Sequence, residues 1–167
     1  MKLAEEKKVA LVASALNLAT GATQETKSIN MKGYHHCTFL IDVGTMGVAN
    51  ATLKAYSGTS DGATTSALAF KYAYGSATSI WGSTGITSDV LAAETTVTAA
   101  TGLVIDQGTY PNYLLIVEVD ASIMDLANEE EWLTLEFTDA GGATGLVSVF
   151  AVLEPRYTGN LSGTCFA

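Results

Sequence analysis

Positive charge is scarce in this chain of 167 residues: eight Lys and Arg stand against 17 Asp and Glu, for a formal net charge of −9. Binding a phosphate backbone relies on Lys and Arg displacing condensed counterions, so no nucleic-acid partner is expected. The two cysteines, Cys37 and Cys165, lie far apart and match neither metal-ligand spacing nor a redox pair. That excludes a disulfide-stapled small scaffold and points to two free thiols. No run approaches the roughly 18 apolar residues of a membrane-crossing helix, the nearest being Val9 to Leu18, and no membrane partner is expected. Glu5 and Glu6 sit where a secretory signal would carry its basic segment.

Catalytic residues are equally sparse. His35 and His36 are the only histidines, and no Gly-x-Ser-x-Gly elbow accompanies them. Neighbouring residues on a strand point to opposite faces, so the pair is a poor metal or substrate clamp and reads as a polar strand edge. Glu129, Glu130 and Glu131, with Asp120 and Asp125, lack the alternating ligands and central glycine of a helix-loop-helix calcium site. They read as a solvated acidic loop. No cofactor, no metal and no enzymatic activity are expected.

What the chain does contain is alternation. From Trp132, Leu133, Leu135 and Phe137 alternate with Thr134, Glu136 and Thr138, the period of a half-buried strand. A glycine-rich turn over 139–145 then leads to Leu146–Leu153, and the chain is expected to reverse there and pair the two strands as a hairpin. The return strand places Val147, Val149, Ala151 and Leu153 on one face and Leu146, Ser148, Phe150 and Val152 on the other. Both faces are largely apolar, which predicts a second sheet on one side and a loop or neighbouring subunit on the other.

Further strands are predicted over 37–43, 51–57, 68–74, 95–99, 103–105 and 113–119, with one helical turn near 122–125. About eight strands separated by regular turns predict an all-β fold, an antiparallel β-sandwich of jelly-roll type. Residues 1–32 carry five lysines and three glutamates, while 33–167 carry three bases and 14 acids. A mildly basic, extended N-terminal arm is therefore predicted over 1–24, ahead of a sandwich body over 25–167. The long Gly, Ser and Thr-rich segment 75–93 carries Trp81, which suits a core plug and an interface anchor equally.

Three blocks carry a resemblance: Lys32 to Gly44 (KGYHHCTFLIDVG), Tyr113 to Ala121 (YLLIVEVDA) and Ala151 to Tyr157 (AVLEPRY). Together they resemble small structural proteins of tailed bacteriophages, of the head decoration or cement type. The resemblance implies a compact β domain, a homotrimer seated on the outer surface of the capsid and stabilising contacts between major capsid proteins. On this expectation Lys2, Lys7, Lys8, Val9 and Leu11 of the arm contact the capsid, and Trp81, Leu146, Phe150 and Val152 form subunit interfaces. A tail or baseplate protein shares the same composition. A carbohydrate-binding adsorption module, with Tyr72, Tyr74, Trp81 or Tyr110 as its aromatic platform, is the other class the residues leave open.

Overall fold

A computed structural model describes residues 3–18, 21–47, 49–75, 90–110, 113–139 and 145–166. It is an all-β sandwich preceded by one helical turn, α1 (Leu3–Glu6). The strands are β1 (Lys8–Asn17), β2 (Gln24–Glu25), β3 (Ile29–Asn30), β4 (Tyr34–Val43), β5 (Ala51–Gly58) and β6 (Ser66–Leu68), followed by β7 (Phe70–Tyr74), β8 (Thr95–Val97), β9 (Leu103–Ile105), β10 (Leu114–Asp120), β11 (Trp132–Asp139) and β12 (Leu146–Pro155).

Six strands form the first sheet in the order β1-β12-β4-β10-β7-β8, and the second runs β2-β11-β5-β6, with β3 also on β11 and β9 also on β5. Every pairing is antiparallel. Taking β2 with β3 and β6 with β9 as single positions, β1-β12-β4-β10 and β2/β3-β11-β5-β6/β9 are the two four-stranded halves of a jelly roll. The extra strands β7 and β8 widen the first sheet.

That topology changes how two stretches are read. The predicted hairpin does not form: β11 pairs with β5 in the second sheet, while β12 lies between β1 and β4 in the first. Each strand buries one alternating face, and crossing between sheets lets both faces meet in one core. The strand predicted over 68–74 is likewise broken at Ala69, with β6 on β5 and β7 on β10.

The N-terminal stretch is extended, as predicted, and it is also the first jelly-roll strand. Lys8 through Asn17 pair with Leu153 through Leu146, with bulges after Leu11 and Ala13. Ala10, Val12 and Leu18 are buried in the common core. A boundary after Gln24 cuts through β2, so residues 1–24 and the body share one sandwich.

The core lies between the sheets. Phe39 and Ile41 of β4, Val117 of β10 and Val149 and Leu153 of β12 face Leu53 of β5 and Leu133, Leu135 and Phe137 of β11, all fully enclosed. Such alternation costs little, because β-branched and aromatic side chains suit a pleated surface buried on one face. Gly58, at the end of β5, is required by close approach. A Cβ there would collide with the backbone carbonyl of Ala63, which the turn brings against it.

Candidate functional site

The two outer faces of the sandwich differ in chemistry. On the second sheet, Thr52 and Lys54 of β5 lie beside Thr138 and Glu136 of β11, a polar surface suited to water, while Tyr56 stands opposite Thr134, which is buried against the Ser28 hydroxyl. On the first sheet the registers place Leu11 opposite Phe150, Phe150 opposite Leu40, Leu40 opposite Ile116 and Ile116 opposite Ala73. An apolar row thus crosses five adjacent strands. With strands about 4.8 Å apart it spans roughly 19 Å. Directly opposed side chains of this kind touch one another, so the row forms one surface.

Neighbouring positions enlarge it. Val9 and Val152 are opposed one step along the strands, and Leu146 stands at the start of β12. Leu11 is 50% exposed, Leu146 52%, Val9 44% and Phe150 42%, so this apolar surface is open on the isolated chain. A contiguous apolar patch on an otherwise acidic protein marks an interaction surface.

Charge borders the patch. On one side Lys7 Nζ donates to Glu154 Oε1 at 2.5 Å, and His36 Nδ1 lies 3.9 Å from Asp120 Oδ2. The donation from Lys7 holds the Glu154 carboxyl below its usual range. The Ser122 hydroxyl and amide, with the nearby histidines, do the same for Asp120. Farther across, Lys71 Nζ reaches Glu94 Oε1 at 2.7 Å, which raises the Lys71 pKa. Glu118 stands beside Ile116 on the same face, and Asp42 is opposed to Ser148 and Leu114.

Two recesses adjoin the far end of the apolar row. One, of about 270 Å³, is bounded by Ala73, Ile116, Leu91 and Glu94; the other, of about 360 Å³, by His36, Ala69, Lys71, Glu118, Asp120 and Ile123.

The residues expected to contact two different partners therefore meet on one surface. Val9 and Leu11, expected in a capsid-binding arm, are cross-strand neighbours of Val152 and Phe150, expected at a subunit interface. Lys7 joins them at the border, while Lys8 turns away, its Nζ donating to the Leu161 carbonyl at 3.4 Å. Lys2 and Trp81 lie outside the described residues. Leu40, Ile116 and Ala73 complete the row without having been singled out from sequence. Their signal was an apolar residue on the wetter face of a strand, visible at Leu40 between Thr38 and Asp42.

The tyrosines expected as a sugar platform pack on one another instead. Tyr74 stacks with Tyr72 at 6.4 Å and Tyr113 at 6.0 Å and meets Tyr110 edge-on at 5.1 Å between ring centres. Tyr110 is buried, which pushes its phenol pKa up, and it presents no open face. The acidic loop is also not wholly solvated. Glu130 is 4% exposed and accepts hydrogen bonds from Ser57 Oγ at 2.6 Å and Ser66 Oγ at 3.0 Å, tying the segment before β11 to β5 and β6. Among the described residues no three His, Cys, Asp or Glu side chains are grouped to hold a metal ion.

Cys37 and Cys165 are free and buried. Burial, with Cys165 nearby, pushes the Cys37 thiol well above its ordinary pKa, and burial raises that of Cys165. Both therefore stay protonated and shielded at neutral pH, and iodoacetamide is expected to modify neither in the native protein and both in guanidinium. Mass spectrometry of the alkylated chain checks this; rapid native labelling of Cys37 would mean that β4 opens readily.

No family model and no curated protein matches the chain. Among solved structures, the crystal structure of the SPBc2 prophage-derived protein YomS is similar over 89% of this chain and 92% of that one, with a TM-score of 0.41 and 13% sequence identity.

Proposed function

We propose that this protein is a structural component of a tailed-phage virion, and specifically a head decoration protein. In this reading it sits on the outer surface of the capsid as a homotrimer and reinforces contacts between major capsid proteins. The observation that carries the reading is the apolar row from Leu11 to Ala73, displayed on one six-stranded sheet while the other turns Thr52, Lys54, Glu136 and Thr138 outward. The likeness of the three strand blocks to decoration proteins supports it, since they supply β4, β10 and the end of β12, three of the strands that build this face.

Such a surface suits a scaffold that acts by being bound. Covering a half-exposed Leu or Phe contributes on the order of 1 kcal/mol. Several of them together are comparable with the lower bound of roughly 4 kcal/mol for the lost freedom of association. One copy alone binds weakly. Symmetric copies engaging several capsid subunits at once raise occupancy through effective concentration and mass action.

The test is cryo-electron microscopy of intact particles carrying the protein. Density for the sandwich at threefold and quasi-threefold positions of the head, with the first sheet toward the shell, is the expected result. A bare head with the same sandwich on the tail would replace this reading with a tail or baseplate role, and density on neither would remove it from the virion.

A further inference from the structure

We propose that the outer face of the first sheet receives a partner segment whose apolar side chains are flanked by lysine or arginine, and that it does not receive a second copy of this chain. The proposal rests on the decoration reading for where that segment resides, on a capsid protein, but its chemistry follows from charges that the face leaves unbalanced.

The two lysines at the borders are already engaged within the chain, Lys7 by Glu154 and Lys71 by Glu94. Three carboxylates are not matched in this way. Asp42 and Glu118 flank the apolar row on opposite sides, opposed to Leu114 and Thr38. Glu118 also stands across from Lys71, which Glu94 already holds. Asp120 accepts from the Ser122 amide at 2.8 Å, with the His36 ring at 3.9 Å, so that with Glu94 and Glu154 five carboxylates share two lysines. Covering the row excludes water from its flanks, and a carboxylate that loses water without gaining a cation is strongly penalised. A second copy seated face to face would bring another Asp42, Glu118 and Asp120 within about one screening length of these, on a chain already at −9. A partner with basic residues on either side of an apolar stretch reverses the sign of every one of those interactions.

The larger recess has the shape of the same chemistry. Ala69 and Ile123, the latter 46% exposed, provide apolar walls, and Glu118 and Asp120 line it together with His36 and with Lys71, whose charge Glu94 already pairs. A lysine or arginine places its methylene stem along such walls and its charged head at the carboxylates. The apolar row runs toward that end of the sheet, so one extended or helical segment can fill the row and anchor a basic side chain in the recess.

The experiment uses the full chain, labelled with nitrogen-15, and two capped synthetic peptides, one alternating leucine with lysine and one alternating leucine with glutamate. The lysine peptide is expected to shift the backbone amides of Leu40, Ile116, Glu118 and Phe150, to bind at least tenfold more tightly than the glutamate peptide, and to weaken as salt rises from about 50 to about 300 mM. Phe150→Asp should abolish these shifts and the pair Glu118→Lys, Asp120→Lys should weaken binding at least tenfold, with circular dichroism confirming that both variants stay folded. Equal binding of the two peptides, or shifts elsewhere on the protein, would overturn the proposal. So would concentration-dependent self-association, without peptide, that shifts the same four amides and is lost in Phe150→Asp. Binding of the wild-type chain to phage heads lacking it is measured in parallel. Peptide binding at the face without head binding rejects decoration alone, and head binding that tolerates both variants rejects this surface alone.

Discussion

Deletion of residues 1–18 is expected to unfold the protein. The segment looks dispensable in a linear reading, since it precedes the strongest strands and is followed by small and polar residues over 19–24. In the fold it is the first jelly-roll strand, paired with β12 from Lys8 to Asn17. Its loss removes the buried side chains of Val12 and Leu18, each contributing roughly 1.5–3 kcal/mol by burial. It also breaks the Lys7 to Glu154 ion pair and strips β12 of its outer neighbour. The loss, on the order of 5 kcal/mol with the ladder hydrogen bonds included, matches the whole stability of many domains. The bared edge of β12 would then invite aggregation through unpaired backbone groups. Thermal unfolding followed by far-ultraviolet circular dichroism, with sedimentation to detect aggregates, decides the matter. A truncated chain that stays monomeric and melts at the full-length temperature would show that residues 19–167 fold without the first strand.

Phe39→Ala is expected to destabilise the protein by about 3–5 kcal/mol. Phe39 is wholly enclosed on β4, the strand flanked by β12 and β10, and its registered neighbours are Ala151 and Val117. Both are smaller than the phenyl ring, and neither can extend into the space it leaves, because their backbones are held by pairing on both sides. A chain of this length loses about 2–4 °C of melting temperature per kcal/mol, so a fall of roughly 10 °C is expected. Urea unfolding measures the free energy directly, and the slope should be unchanged if the native state stays compact. A cost below about 1 kcal/mol would mean that the core relaxes around the site and that the two sheets are less tightly packed than their burial indicates. Phe150→Asp, on the other face of the neighbouring strand, should leave stability nearly unchanged, since Phe150 is 42% exposed.

The contrast between those two phenylalanines shows what could be read in advance. Phe39 lies in a run whose alternate residues, Cys37, Phe39, Ile41 and Val43, are all apolar, and every one of them is buried. Phe150 lies on a strand apolar on both faces, and which face turns inward depends on the strand's place in the sheet. The same limit explains the hairpin that does not form. The turn over 139–145 has suitable glycines. Its flanking strands, however, are recruited by β5 on one side and by β1 and β4 on the other, because burying both alternating faces in a single core outweighs local pairing. Glu130 escaped notice for a related reason: its partners, Ser57 and Ser66, are more than 60 residues away in the chain.

By itself the sequence determined the class of fold, the position of most strands and the inward face of each half-polar strand. These follow from local chemistry, since period-two alternation and turn residues act within a few positions. Only the tertiary structure decided that the N-terminal stretch is a strand of the body and that Leu11, Phe150, Leu40, Ile116 and Ala73 stand in one row. Those residues come from five strands spread over 140 positions, and what aligns them is the cross-strand register, set by hydrogen bonds and burial between segments distant in sequence.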